Sequence, residues 1–124
     1  MAAVRPAFPG PPASEEMTPC EYVRPEGILY GDPQEREYVY LATPDGSFTA
    51  GVWEAQPYSE RIEGYPGNEY CQVIRGKVTL TDTDGTSQTF ATGDSFVLDA
   101  RWSGTWTVEE PFMKYFAISI PAGG

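Results

Sequence analysis

Asn68-Glu69-Tyr70-Cys71-Gln72-Val73-Ile74-Arg75, then Gly76, then Lys77-Val78-Thr79-Leu80-Thr81-Asp82 is the stretch that decides the fold. Two short runs rich in Val, Ile, Tyr and Thr, residues that suit a pleated and half-buried surface, flank one glycine able to reverse the chain. Working outward, the same texture recurs, and strands are predicted near 38–42, 48–55, 68–75, 77–82, 87–91, 95–99, 104–109 and 112–120. Asp45-Gly46 and Asp84-Gly85 read as tight hairpin turns, because Asp and Gly tolerate positive φ; Gly76 and Gly93-Asp94 read as further reversals. No window offers two helical turns with apolar residues at i, i+3 and i+4. Eight or so short strands predict an all-β domain, an antiparallel sandwich or barrel.

The region before Tyr38 has a different texture. Its first 19 residues hold five of the twelve prolines, and Pro25, Gly27, Gly31 and Pro33 interrupt the rest. Residues 1–37 therefore read as a Pro-rich N-terminal arm with an irregular lead-in, 38–121 as the barrel, and 122–124 as a flexible C-terminus. At 124 residues the chain has room for one domain, and 40% apolar composition supplies roughly 50 side chains for its core. Acidic residues outnumber basic ones 18 to 8, for a net charge of −10. The excess is spread along the chain, which argues against nucleic acid or an anionic membrane as partner. No apolar run approaches a membrane span and no signal peptide is evident, so the expected location is cytoplasmic.

Histidine is absent altogether. That removes the usual acid–base residue of neutral pH, the commonest ligand of transition metals, and any Ser–His–Asp or Cys–His triad. Cys20 and Cys71 lie 51 positions apart with no CxxC. Two reduced thiols are expected, with Cys71 packed as a small hydrophobe; a disulfide or a reactive thiol is the alternative.

In the final run Phe112, Lys114, Phe116, Ile118 and Ile120 share one parity, opposite Met113, Tyr115, Ala117 and Ser119. Both faces are apolar, so this strand needs cover on each side. The arm before Tyr38 or a second copy of the chain could provide the outer cover, and a homodimer is expected. Lys114 stands among large apolar neighbours. Either its stem packs inside with the ammonium reaching water at a barrel mouth, or it meets a carboxylate inside a cavity.

Gly51-Val52-Trp53-Glu54, Asn68 to Leu80, Asp84-Gly85, Phe90, Gly93-Asp94-Ser95-Phe96-Val97 and Gly104-Thr105-Trp106-Thr107-Val108 together resemble the cupin superfamily, over about residues 48–120. More narrowly, the pattern is similar to small single-domain cupins of the (S)-ureidoglycine aminohydrolase type. The resemblance implies an antiparallel jelly-roll β-barrel. In the metal-binding cupin pattern, a first motif carries two His and a Glu followed by six residues and a Gly. Here Glu69 precedes Gly76 by that spacing, while residues 62–65 contain no histidine. Counting the second motif from Gly93 places Asp99, Arg101 and Gly104 where the family has Pro, Gly and His. No metal and no cofactor is therefore expected; the alternative is a hard cation such as Mg²⁺ or Mn²⁺ held by oxygens of Glu63, Glu69 and Asp99.

The resemblance and the strand parity together imply a barrel interior rimmed by Trp53, Tyr65, Glu69, Cys71, Trp106 and Lys114. Glu69, Lys114 and Tyr65 are the candidate catalytic residues, and Trp53, Cys71, Arg101 and Trp106 the candidate ligand-binding ones. Aromatic rings offer apolar surface, and a charged pair fixes a polar ligand. Desolvation would raise the pKa of Glu69 and make it a general base, whereas an adjacent Lys114 would make it a plain ion pair. Three functions remain open: a binder of a small polar metabolite, a metal-independent isomerase, cyclase, lyase or C–N hydrolase using Glu69, and a structural module.

Overall fold

The computed structural model describes residues 4, 6, 7 and 12–121. The expected flexible segment 122–124 and most of the first eleven residues lie outside these. The chain forms strands β1 (Thr18–Pro19), β2 (Ile28–Gly31), β3 (Arg36–Ala42), β4 (Phe48–Ala55), β5 (Tyr58–Ile62), β6 (Asn68–Arg75), β7 (Lys77–Asp82), β8 (Ser87–Ala91), β9 (Ser95–Leu98), β10 (Gly104–Val108) and β11 (Phe112–Ser119). Two single-turn 3₁₀ segments, Ser14–Glu16 and Pro25–Gly27, are the only helical pieces among the described residues. A six-stranded sheet runs β1-β3-β4-β11-β6-β9 and a five-stranded sheet β2-β5-β10-β7-β8, with every pairing antiparallel. This is the antiparallel jelly roll of the cupin fold.

The turns follow the predicted chemistry. Gly46, Gly76, Gly85 and Gly93 all have positive φ. At Asp45-Gly46 the Asp45 carboxylate accepts from the Ser47 amide (3.0 Å) and hydroxyl (2.8 Å), and at Asp84-Gly85 Asp84 accepts from the Thr86 amide at 2.8 Å. Gly76 is required twice over: its φ is +78°, and a Cβ there would stand 2.3 Å from the Pro111 carbonyl oxygen.

Eight strands begin and end within about two residues of the expected positions, and three were not expected. β5 reads Tyr-Ser-Glu-Arg-Ile, too polar to look like a strand. Three of its polar side chains nonetheless find partners inside: Ser59 Oγ pairs with Thr107 Oγ1 at 2.9 Å, and the Tyr58 hydroxyl donates to one oxygen of Glu60 at 2.8 Å. β1 and β2 fall within the lead-in read as irregular. They are short, and tertiary pairing with β3 and β5 makes them strands where local propensity does not.

The main core lies between the sheets. Trp53, Cys71, Val73, Phe96, Phe112 and Phe116 from one sheet meet Tyr58, Val78, Leu80, Trp106 and Val108 from the other. A second, smaller cluster sits on the outer face of the six-stranded sheet, where Met17 covers Val52 and Met113 beside Tyr40, Ile74 and Tyr115. Arg36 Nη2 donates to the Met17 carbonyl at 2.8 Å and fastens that cover. At this end of β11, the outer cover comes from the chain itself.

Candidate functional site

Between the sheets, toward one end of the barrel, lies a cavity of about 480 Å³. Its floor is built on cross-strand neighbours. Lys114 on β11 stands opposite Trp53 on β4, and Ile118 opposite Glu69 on β6. From the facing sheet, Trp106 on β10 stands opposite Glu60 on β5. Residues 22–29 of the lead-in form part of the wall, so this segment belongs to the site and not to a detached arm.

Lys114 Nζ lies 3.2 Å from Glu69 Oε2, with both side chains almost wholly buried. The second Glu69 oxygen accepts from the Tyr65 hydroxyl. Lys114 Nζ also approaches Cys71 Sγ at 3.4 Å and sits over the rings of Trp106 (4.8 Å), Trp53 (5.3 Å) and Phe116 (5.9 Å). Burial alone would push the ammonium pKa down; Cys71 and Glu69 reverse this and hold it above the ordinary lysine value. Burial, with Glu69 adding to it and Lys114 opposing, pushes the Cys71 thiol up to about 12. At neutral pH Cys71 is thus an un-ionised thiol, and the charge that keeps Lys114 protonated is Glu69. Burial and then Glu69 also drive Tyr65 well above the usual phenol range, so Tyr65 is a donor only. Of the two readings of Lys114, the buried pair is the one realised.

The cavity brings together Glu69, Lys114, Tyr65, Trp53 and Trp106. Cys71 lies behind the floor, in contact with Lys114 but fully buried. Arg101 does not line the cavity. Its side chain is exposed, and its backbone amide donates to the Tyr65 carbonyl at 2.7 Å while the Tyr65 amide donates to Trp102 O at 2.7 Å. Arg101 therefore fastens the Tyr65 loop from outside. Its φ of +73° lies in the left-handed region that favours glycine. Both cysteines are free thiols, and Cys20 donates to Glu35 at 3.5 Å.

Three buried carboxylates, Glu35, Glu54 and Glu60, are not marked by the sequence pattern, and two of them bear on the cavity. Glu60 lines the cavity and accepts from Tyr58; its parity with Tyr58 and Ile62 was the available signal, hidden because 58–62 was not read as a strand. Glu35 is a post for the lead-in. It accepts from the amides of Tyr22 (3.1 Å) and Val23 (2.8 Å) and from Trp53 Nε1 (2.9 Å), tying the cavity wall to the cavity floor. No local pattern marks it. Trp106 Nε1 is buried without a hydrogen-bond partner among the described residues.

The donors do not fit a metal of the kind the cupin pattern implies. Among the described residues no three His, Cys, Asp or Glu side chains converge. Glu63 is exposed and pairs with Arg61 at 3.2 Å, Asp99 is exposed, and Glu69 is already neutralised by an ammonium.

The sequence pattern of the EutQ-like cupin domain matches residues 42–116, which run from the end of β3 into β11 and include Trp53, Glu69, Trp106 and Lys114. The chain belongs to the EutQ-like cupin domain family. Among solved structures it is similar to a protein of unknown function from Pseudomonas syringae pv. tomato, at 25% identity over 83% of this chain with a TM-score of 0.76. The cupin domain here spans 44% of that protein's length. It is also similar to EutQ of Clostridium difficile (14% identity, 71% of this chain and 64% of that one, TM-score 0.59) and to ectoine synthase of P. lautus (16%, 80% and 72%, 0.61). At those identities the likeness is one of fold alone. No curated protein matches this sequence.

Proposed function

We propose that this EutQ-like cupin domain binds a small polar metabolite inside the barrel. The observation that carries the reading is the buried Glu69–Lys114–Tyr65 set opening onto a cavity of about 480 Å³ walled by Trp53, Trp106, Tyr58 and Phe116. That volume suits a small molecule, and aromatic walls with a few fixed polar groups are what such a ligand needs. Both Glu69 oxygens are engaged, one by Tyr65 and one by Lys114, which favours a fixed recognition element over a free general base. Proton transfer by Glu69 in a metal-independent reaction is the second reading, and it requires that Lys114 or Tyr65 hand its bond to the substrate. The narrower resemblance to ureidoglycine aminohydrolase-type cupins enters as fold only; a metal-dependent reaction is not carried over to a chain without histidine.

A thermal-shift screen over small polar metabolites tests the binding reading. A ligand at 100 times its Kd adds about 2.7 kcal/mol of stability, and Ile118→Trp, which narrows the cavity, should abolish the shift. Persistence of the shift in that variant would place the ligand elsewhere. Turnover of a hit that disappears in Glu69→Gln while binding persists would select the enzymatic reading. We further infer a cytoplasmic homodimer paired through the outer face of the six-stranded sheet, where Tyr38, Leu41, Tyr70 and Val97 are exposed. A light-scattering mass of one chain, 13.6 kDa, at micromolar concentration would refute the dimer.

A further inference from the structure

Three acidic or basic side chains in the cavity wall are buried: Glu60, Glu69 and Lys114. The exposed ones at its mouth, Arg24, Glu26, Arg61 and Glu63, cancel in charge. Inside, Lys114 and Glu69 neutralise each other at 3.2 Å. That leaves Glu60, only 9% exposed, without a counter-ion. One of its oxygens accepts from the Tyr58 hydroxyl at 2.8 Å; the other has no partner among the described residues. Its strand neighbours offer none, since Ile28 stands opposite on β2 and Trp106 on β10. The remaining charges that reach it are Glu35, which repels a negative Glu60, and Lys114, which is committed to Glu69. A buried carboxylate in this position either takes a proton or acquires a cation. The direction of its titration agrees: burial first, and Glu35 with it, raise the Glu60 pKa against the opposing effects of Tyr58 and Lys114.

We propose that the occupant of this cavity carries one positive charge, on a protonated amine or amidine joined to a small apolar body, and that the Glu60 carboxylate seats it. This rests on the reading of the cavity as a ligand site and names the ligand's chemical class. The aromatic walls take the apolar body, Glu60 takes the ammonium, and the charge inside the barrel sums to zero once the ligand is bound. A bound ammonium would oppose the upward shift that burial and Glu35 impose on Glu60.

The test uses three probes of one shape and different charge: benzylamine, benzyl alcohol and benzoate. Binding is read from the indole N–H signals of Trp106 and Trp53 in ¹⁵N-labelled protein, with Trp102, which donates to Asp82 at 2.8 Å outside the cavity, as internal reference. Benzylamine should bind at least about tenfold more tightly than benzyl alcohol, as expected for a charge-assisted hydrogen bond, and benzoate most weakly. Glu60→Gln, which keeps an oxygen for Tyr58, should cost benzylamine about tenfold and leave benzyl alcohol within about twofold. The wild-type protein supplies an independent readout. Benzylamine affinity should rise with pH as Glu60 loses its proton, while that of benzyl alcohol stays level. Benzyl alcohol or benzoate matching benzylamine, or a pH-independent benzylamine affinity, overturns the cationic class and leaves the cavity reading standing. No shift of either indole with any probe at 20 mM overturns both.

Discussion

Breaking the Glu69–Lys114 pair from one side should cost more than removing it altogether. The two side chains are 6% and 4% exposed and 3.2 Å apart, so neither can turn to water when its partner is lost. Removing one member of such a pair typically costs 3–5 kcal/mol, because an uncompensated charge stays buried. Each survivor here keeps some company. Without Lys114, Glu69 still accepts from Tyr65; without the carboxylate charge, Lys114 still has two indole faces and the Cys71 sulfur. We therefore expect about 2–4 kcal/mol for Lys114→Met and for Glu69→Gln, with the double variant recovering at least about 1 kcal/mol of their sum.

Urea unfolding followed by tryptophan fluorescence reads this directly. With a slope of about 2 kcal/mol/M, each single substitution should lower the midpoint by about 1–2 M. The alkaline limb adds a check of sign. The Lys114 pKa is raised in the folded protein, so its stabilising contribution is complete below the ordinary lysine pKa and is lost as pH rises through the folded value. The loss of stability on that limb should be shallower in Lys114→Met. Single and double substitutions that add to within about 0.3 kcal/mol would mean that the two charges do not interact, and the charged floor would have to be abandoned.

Glu60→Gln should stabilise the ligand-free protein at neutral pH, because it removes a carboxylate whose ionised form the fold disfavours. That gain should shrink as pH falls through the raised Glu60 pKa and vanish below the ordinary carboxyl value, so a gain that persists at acid pH would refute the assignment. Arg101→Gly should raise stability by about 0.5–1 kcal/mol in calorimetry by relieving a left-handed residue at φ +73°, and an unchanged or lowered Tm would show that the strain is absent. Met17→Ala should cost about 2 kcal/mol by uncovering Val52 and Met113, with a denaturant midpoint equal to wild type as the contrary result.

What the sequence made legible follows from period and parity. β4, β6, β7, β8 and β9 each adjoin a glycine or Asp-Gly turn, and β10 and β11 are rich in β-formers, so local chemistry and final structure agree. The alternation along β11 grouped Lys114 with Phe112, Phe116 and Ile118, and the resemblance to the cupin motif, through the spacing to Gly76, implied an inward Glu69. β5 and the lead-in strands were illegible for the opposite reason. Their order comes from tertiary pairing: β5 is held between β2 and β10, and Tyr22 and Val23 stay on the barrel because the Glu35 carboxylate accepts from their amides. Arg101 enters the expected ligand set through motif counting. That count gives a backbone position, though, and the direction of the side chain depends on the left-handed turn at that residue.

The two buried glutamates of the cavity show how little separates a structural group from a recognition group. Glu69 and Glu60 are the same residue type, each in a strand, each inward-facing, each taking a hydrogen bond from a tyrosine. The difference is one ammonium. Lys114 can reach only one of them at salt-bridge distance, and β11 pairs with β6, so it reaches Glu69. Glu69 is thereby fixed, with both oxygens committed, and contributes shape and dipole to the floor. Glu60, across the cavity on β5, keeps an open oxygen and a charge that the fold leaves unanswered. Moving the lysine would exchange the two roles. A chain that places a single cation between two buried carboxylates has decided which one is left for a ligand.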